Sequence, residues 1–185
     1  ECLVGSEMCI RDRIGEDGIQ MYLGCELHSS MDMTDCLKKG ERLTMSGSRY
    51  VLTEFRTSDE KSYIRERVQA LIRKGYYPII AHVERYHSVV KNGLDFIDEL
   101  RDMGAYIQMN ADSIIGEDGF MIKRFCKKVI KEEMLDFVGS DGHDLARRTP
   151  HIGKCYDKIE KMMGTDYADM IFISNPECII NNERF

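Results

Sequence analysis

Leu135-Asp136-Phe137-Val138-Gly139-Ser140-Asp141-Gly142-His143 joins a short apolar run to an Asp-x-His pair. The run reads as a strand. Residues i and i+2 of a strand share a face, so Asp141 and His143 aim a carboxylate and an imidazole at one point, just past the strand's C-terminal end. Barrels and open sheets of parallel strands place their chemistry there. Oxygen and imidazole donors together suit a hydrolytic Zn, Mn or Fe ion. Taken alone, the pair is weak evidence, and most such pairs belong to a solvated loop.

The rest of the chain supplies a context. Strands are expected over Ile19–Leu27, Tyr50–Phe55, Tyr77–Ala81 and Ala105–Met109, closing on Glu26, Glu54, His82 and Asn110. Between them run helical patterns. One begins at Thr57 with Glu60 as a capping box, carries Ile64, Val68, Leu71 and Ile72 on one stripe, and stops at Gly75. Leu94, Ile97, Leu100 and Met103 mark a second, stopped by Gly104. Phe120–Ile130 is a basic-faced third with Phe125 and Val129 inward. Ile152, Ile159, Met162 and Met163 support a fourth. A short apolar run, Met170–Ile173, precedes Asn175-Pro176, and Met45-Ser46-Gly47-Ser48 reads as a mobile loop. Strand and helix in alternation predict an α/β fold with a mostly parallel sheet and right-handed crossovers.

In such a fold the strand ends share one rim. Glu26, Glu54 and His82 follow one another at intervals of 28 residues, about one strand-helix repeat. With Asp141 and His143 they make five oxygen or nitrogen donors on that rim, a multinuclear metal site by chemistry. Arg85 and Arg148 lie on rim loops, where a guanidinium fork suits phosphoryl oxygens. Each has a plainer reading: Glu26 and Glu54 as solvated carboxylates, His82 as a core histidine bonded to backbone, the arginines as surface ion pairs. His28, His87 and His151 are not assigned as ligands.

Composition excludes several classes. The chain has 185 residues, 43% hydrophobic and 31% charged, enough for one domain with a core. A net charge of −6 argues against a nucleic-acid-binding surface. No apolar run reaches membrane-spanning length. Seven cysteines without a C-x-x-C pair read as reduced thiols and a cytoplasmic protein. None precedes a glycine-rich loop ending in arginine, so a cysteine-nucleophile phosphatase is disfavoured. No G-x-G-x-x-G or phosphate loop marks a nucleotide site.

Gly24-Cys25-Glu26, Leu52-Thr53-Glu54-Phe55, Pro78 through His82-Val83-Glu84-Arg85-Tyr86, Gln108-Met109-Asn110 with Ser113 and Gly116, and Ser140-Asp141-Gly142-His143 through Arg148 and Pro150 carry a resemblance. Together they resemble the bacterial PHP-type (polymerase and histidinol phosphatase) tyrosine-protein phosphatases of capsule and exopolysaccharide loci. The resemblance implies a distorted (β/α) barrel, seven-stranded in the family, with up to three divalent ions, most readily Mn²⁺ with Fe or Zn as alternatives. It implies that Glu26 bridges two metals, that Glu54 and His82 ligate one of them, and that Asp141 and His143 ligate the others. Arg85 and Arg148 would bind the phosphate. The implied substrate is the phosphotyrosine tail of a cognate bacterial tyrosine kinase.

The chain departs from that pattern. None of its five histidines forms the family's opening His-x-His, and Arg148-Thr149-Pro150 stands for the usual Arg-Pro-Pro. The expectation is therefore an N-terminally truncated barrel lacking its first repeats: residues 1–17 a non-native or disordered leader, with 1–13 foreign, and residues 18–185 the C-terminal two-thirds of one PHP domain. Such a chain is expected to hold fewer ions and to be weakly active or inactive. Two other readings stand beside it: a PHP phosphoesterase acting on a small molecule such as histidinol phosphate, and a non-catalytic barrel that binds a partner. The sequence sets no oligomeric state.

Overall fold

Five short strands lie parallel and in chain order: β1 (Glu26–His28), β2 (Tyr50–Glu54), β3 (Tyr77–Ile80), β4 (Tyr106–Asn110) and β5 (Phe137–Gly139). They belong to a computed structural model that describes residues 20–142 and 150–185. The crossovers carry α1 (Met33–Lys38), α2 (Lys61–Arg73), α3 (His87–Asn92), α4 (Leu94–Asp102), α5 (Ala111–Ile115) and α6 (Phe120–Lys131). Beyond β5 come α7 (Ile152–Met163), α8 (Thr165–Asp169), a π turn over Met170–Ser174 and α9 (Asn175–Asn181). The α/β class and the parallel sheet are as the sequence predicts. The described strands form an open sheet of five, not a closed seven-stranded barrel.

Register follows from the alternation of side chains. Leu52 pairs with Glu26 and Ile79, Ile79 with Tyr106, and Asn110 with Gly139. One face therefore carries Tyr50, Leu52, Glu54, Ile79, Tyr106, Gln108, Asn110, Phe137 and Gly139. The other carries Val51, Ile80, Ile107 and Met109, which are buried beneath the helices. Ile64 and Val68 of α2, Ile97 and Leu100 of α4, and Val129 of α6 complete that core, all with no exposed surface. A sheet covered on both faces needs unbroken apolar strands rather than alternating ones, which is what Tyr77–Ile80 provides.

The first face is apolar at its base and polar at its C-terminal rim. Tyr50, Ile79, Tyr106 and Phe137 form the base. Phe185 stacks on it, its ring 4.8 Å from that of Tyr106 and 5.8 Å from that of Phe137. Tyr50 Oη donates to the Glu183 carbonyl at 2.7 Å, and Arg49 N–H to Asn182 Oδ1 at 2.8 Å. Residues 182–185 thus strap the base of the sheet from β2 to β5.

Three boundaries differ from expectation. β1 starts at Glu26 and ends at His28, whereas the sequence predicts a strand over Ile19–Leu27; among the described residues before it, the Leu23 carbonyl accepts the N–H of Ser46 from the next crossover. α2 starts at Lys61, not Thr57, because Asp59 accepts the Arg56 N–H and closes a turn there; Glu60 makes no side-chain cap. Met45–Gly47 is a 3-10 turn. Cys25, Cys36, Cys126, Cys155 and Cys178 are free thiols, and no described helix is long and apolar enough to cross a membrane.

Candidate functional site

The polar rim begins with the turn after β3. The chain leaves Ala81 and enters a 3-10 turn, Val83–Arg85, through His82 in the left-handed region, φ 36°. Two neighbours hold this conformation. The His82 N–H donates to Gln108 Oε1 at 2.5 Å. The buried Tyr86 hydroxyl donates to the Ala81 carbonyl at 2.7 Å and accepts the Phe55 N–H at 3.1 Å. The turn is therefore fastened to β2 on one side and β4 on the other.

So oriented, the His82 ring meets two carboxylates. Its Nε2 lies 3.0 Å from Glu26 Oε1 and 3.5 Å from Glu54 Oε2. One ligand atom from each of Glu26, Glu54 and His82 falls within 4.8 Å of the others. Glu26 opens β1 instead of ending it, yet its side chain points to the same face as Glu54, and the convergence is kept. His82 is 9% exposed while the two glutamates are about one-third exposed, so the imidazole forms the floor and the carboxylates the mouth. Burial pulls the imidazole's pKa down, but the hydrogen bond and charge of Glu26 outweigh it and the net shift is upward. The His82 Nδ1 is buried and has no hydrogen-bond partner among the described residues.

Two carboxylates and one imidazole are a donor set for a divalent ion with open coordination positions. The residues present fit such an ion: the three donors already face one another, and metal binding needs the neutral imidazole, so a proton and a metal would compete for the same place.

Asp141 lies beside this trio, not within it. Its Oδ2 accepts Arg85 Nη1 at 2.8 Å and Asn110 Nδ2 at 3.1 Å. Gln108 Nε2 donates to Asn110 Oδ1 at 3.1 Å, so an amide chain runs from the His82 backbone to the Asp141 carboxylate. Gly139 makes room for it: a Cβ there would collide with the Gln108 amide. Glu84, 2% exposed, accepts the Asn110 N–H at 3.1 Å; burial pushes its carboxyl up, against the hydroxyl of Ser113 and that N–H.

Arg85 is thus presented on the rim with its guanidinium at the third carboxylate. His143 and Arg148 lie outside the described residues. Sequence reasoning left three neighbours without a role. His28 Nδ1 lies 3.4 Å from Glu54 Oε1. Gln108 and Asn110 carry the amide chain, and their i, i+2 spacing before a helix was the available signal. His151, also unassigned, pairs with Asp112 at 2.8 Å, away from the trio.

Comparison with known proteins places the chain in a family. The chain is 31% identical over 179 residues to the tyrosine-protein phosphatase CpsB of Streptococcus pneumoniae, covering 94% of this chain and 73% of that protein. It is 26% identical over 176 residues to the tyrosine-protein phosphatase YwqE of Bacillus subtilis, covering 94% and 68%. A chain from the crystal structures of YwqE and CpsB, described there as unique metal-dependent tyrosine phosphatases, superposes with a TM-score of 0.85 at 25% identity, over 97% of this chain and 71% of its own. Residues 6–181 match the family described as capsular polysaccharide synthesis, CpsB/CapC, and the chain belongs to it.

Proposed function

We propose that this chain carries a metal-dependent protein-tyrosine phosphatase site, acting on phosphotyrosine in the tail of a bacterial tyrosine kinase. The observation that supports it most is the trio: Glu26, Glu54 and His82, from three successive strands, with Arg85 fixed beside them. In this reading the open sheet is part of a distorted seven-stranded barrel, and Mn²⁺ is the preferred ion. Glu26, Glu54 and His82 hold one ion, and Asp141 and His143 serve further ones. When bound, the metal supplies Lewis-acid stabilisation of the phosphoryl oxygens and a nucleophile at neutral pH.

The chain's own residues do the rest. Arg85 binds a phosphoryl group through its fork, a task Lys would not match, and Arg148 is assigned a second fork on the same group. Asp141 and Asn110 hold Arg85 in place before substrate arrives, so little ordering remains at the moment of reaction. Gln108 fixes the His82 backbone and hence the direction of Nε2. Glu26 and Glu54, about one-third exposed, leave the trio open to solvent on the side from which a phosphopeptide would approach.

The test is phosphate release from a phosphotyrosine peptide. Mn²⁺ should be required, a chelator should stop turnover, and Arg85→Ala should cost about 10²-fold in rate. Calorimetric Mn²⁺ binding should be lost in His82→Ala. Unchanged turnover and unchanged Mn²⁺ affinity in His82→Ala would refute the assignment. Preference for histidinol phosphate over the peptide would move it to a small-molecule phosphoesterase.

A further inference from the structure

Helix α6 reads Phe-Met-Ile-Lys-Arg-Phe-Cys-Lys-Lys-Val-Ile-Lys, with five cations and no acid, in a chain of net charge −6. Phe125, Cys126, Val129 and Ile130 are buried, so all five cations stand on its solvent face. Lys123 and Lys127 of α6 face Lys158 and Lys161 of α7 across a groove of about 340 Å³. Its floor is apolar, made by Ile130 and Met162, and Ile114 of α5 closes one end.

None of the four lysines has a carboxylate partner among the described residues. Lys158 Nζ donates instead to the carbonyls of Ile114, at 2.5 Å, and Ile115, at 3.1 Å. Burial and then the nearby Lys123 ammonium lower its pKa. Like charges crowded at a groove raise the energy of the free protein, and an anion relieves it. Lysine meets phosphate as a mobile point charge. A bare phosphate has no use for the apolar floor, whereas a phosphorylated aromatic ring uses both. Ile114, at one end of the groove, belongs to α5, which follows directly on β4.

We infer that this groove is a second phosphotyrosine-binding site, which retains one phosphorylated residue of a substrate while another reaches the Glu26–Glu54–His82 site. The inference rests on the phosphotyrosine reading above. Linking two binding events raises the effective concentration of the second. A peptide with two phosphotyrosines should therefore show a lower KM than one with a single phosphotyrosine, at similar kcat.

Two measurements test it. First, O-phosphotyrosine is titrated into metal-free Arg85→Ala protein and followed by amide chemical shifts. Saturable shifts are expected over 123–130 and 158–162, several-fold weaker with O-phosphoserine or inorganic phosphate, and absent in Lys127→Glu/Lys161→Glu. Both of those lysines are exposed, so the double variant should keep the wild-type circular dichroism. Second, in the Arg85 background the double variant should raise KM for the doubly phosphorylated peptide about tenfold, leaving kcat and p-nitrophenyl phosphate turnover unchanged. Unmoved shifts and unmoved KM, with p-nitrophenyl phosphate still hydrolysed, would overturn the second site and leave the phosphatase reading intact. If neither protein hydrolyses p-nitrophenyl phosphate, the phosphatase reading fails and the titration alone decides the groove. Equal affinity for inorganic phosphate would overturn the aromatic selectivity. Binding to phosphatidylglycerol vesicles without phosphotyrosine shifts would assign the surface to a bilayer and overturn the proposal.

Discussion

His82 and Asp141 both hold positive φ, 36° and 49°, at non-glycine positions. Such backbone persists only where its surroundings over-determine it, and it gathers at functional sites. For His82 the surroundings are Gln108 and Tyr86. Tyr86→Phe removes the hydroxyl that bridges β2 and β3 and leaves the Phe55 N–H buried and unpaired. It should cost about 1–3 kcal/mol in urea denaturation; a wild-type midpoint would show that the bridge contributes nothing. At this scale the sequence was legible where a charged side chain ended an apolar run, which is how Glu26, Glu54 and His82 declare themselves. Gln108 and Asn110 do not declare themselves this way. An uncharged amide interrupts no pattern, and its role depends on a partner 26 to 31 residues away.

β4 and β5 meet where Gly139 lies opposite Asn110 and against the Gln108 amide. A methyl group at Gly139 would have to displace a buried, hydrogen-bonded side chain. Gly139→Ala is expected to lower stability by about 1–3 kcal/mol and also to weaken Mn²⁺ binding, since His82 loses its Gln108 tether. A thermal melt and a Mn²⁺ titration check the two effects separately; a melt shift with full metal affinity would show that the tether is dispensable. Helices of nine residues or more were legible because their apolar stripes repeat. α3 and α5, with six and five residues, are too short for a period to appear. β1 was over-read for a related reason: an apolar run states that a segment is buried, while ladder length depends on how much of the neighbour lies opposite.

Acid stability belongs to the whole molecule, and one cluster should dominate part of it. Glu99 of α4 accepts from Arg65 and Lys61 of α2. The Arg65 hydrogen bond first, then that of Lys61, holds its carboxyl down at about 2 against an ordinary 4.5. The folded pKa lies below the unfolded one, so the unfolded chain takes up the proton first as pH falls. The stabilisation is full above about 4.5 and is lost as pH drops towards 2. Glu99→Gln should be less stable than wild type at pH 7, with the gap closing through that window. Parallel pH profiles would exclude the cluster as a source of acid sensitivity. The spacing of Phe125 and Val129 already marked α6 as basic-faced; that Lys158 and Lys161 of α7 stand across a groove from it was not legible, because it depends on how two helices pack.

The sheet's first strand has a further consequence. Among the described residues β1 pairs with β2 and stands at a border of the sheet. An open edge is a template for any extended segment, including one from a neighbouring molecule. Glu26 lies on that strand, so this border of the described sheet is also one wall of the Glu26–Glu54–His82 trio. An extended segment added at this border would therefore reposition Glu26, and an ion held by the trio would in turn pin β1.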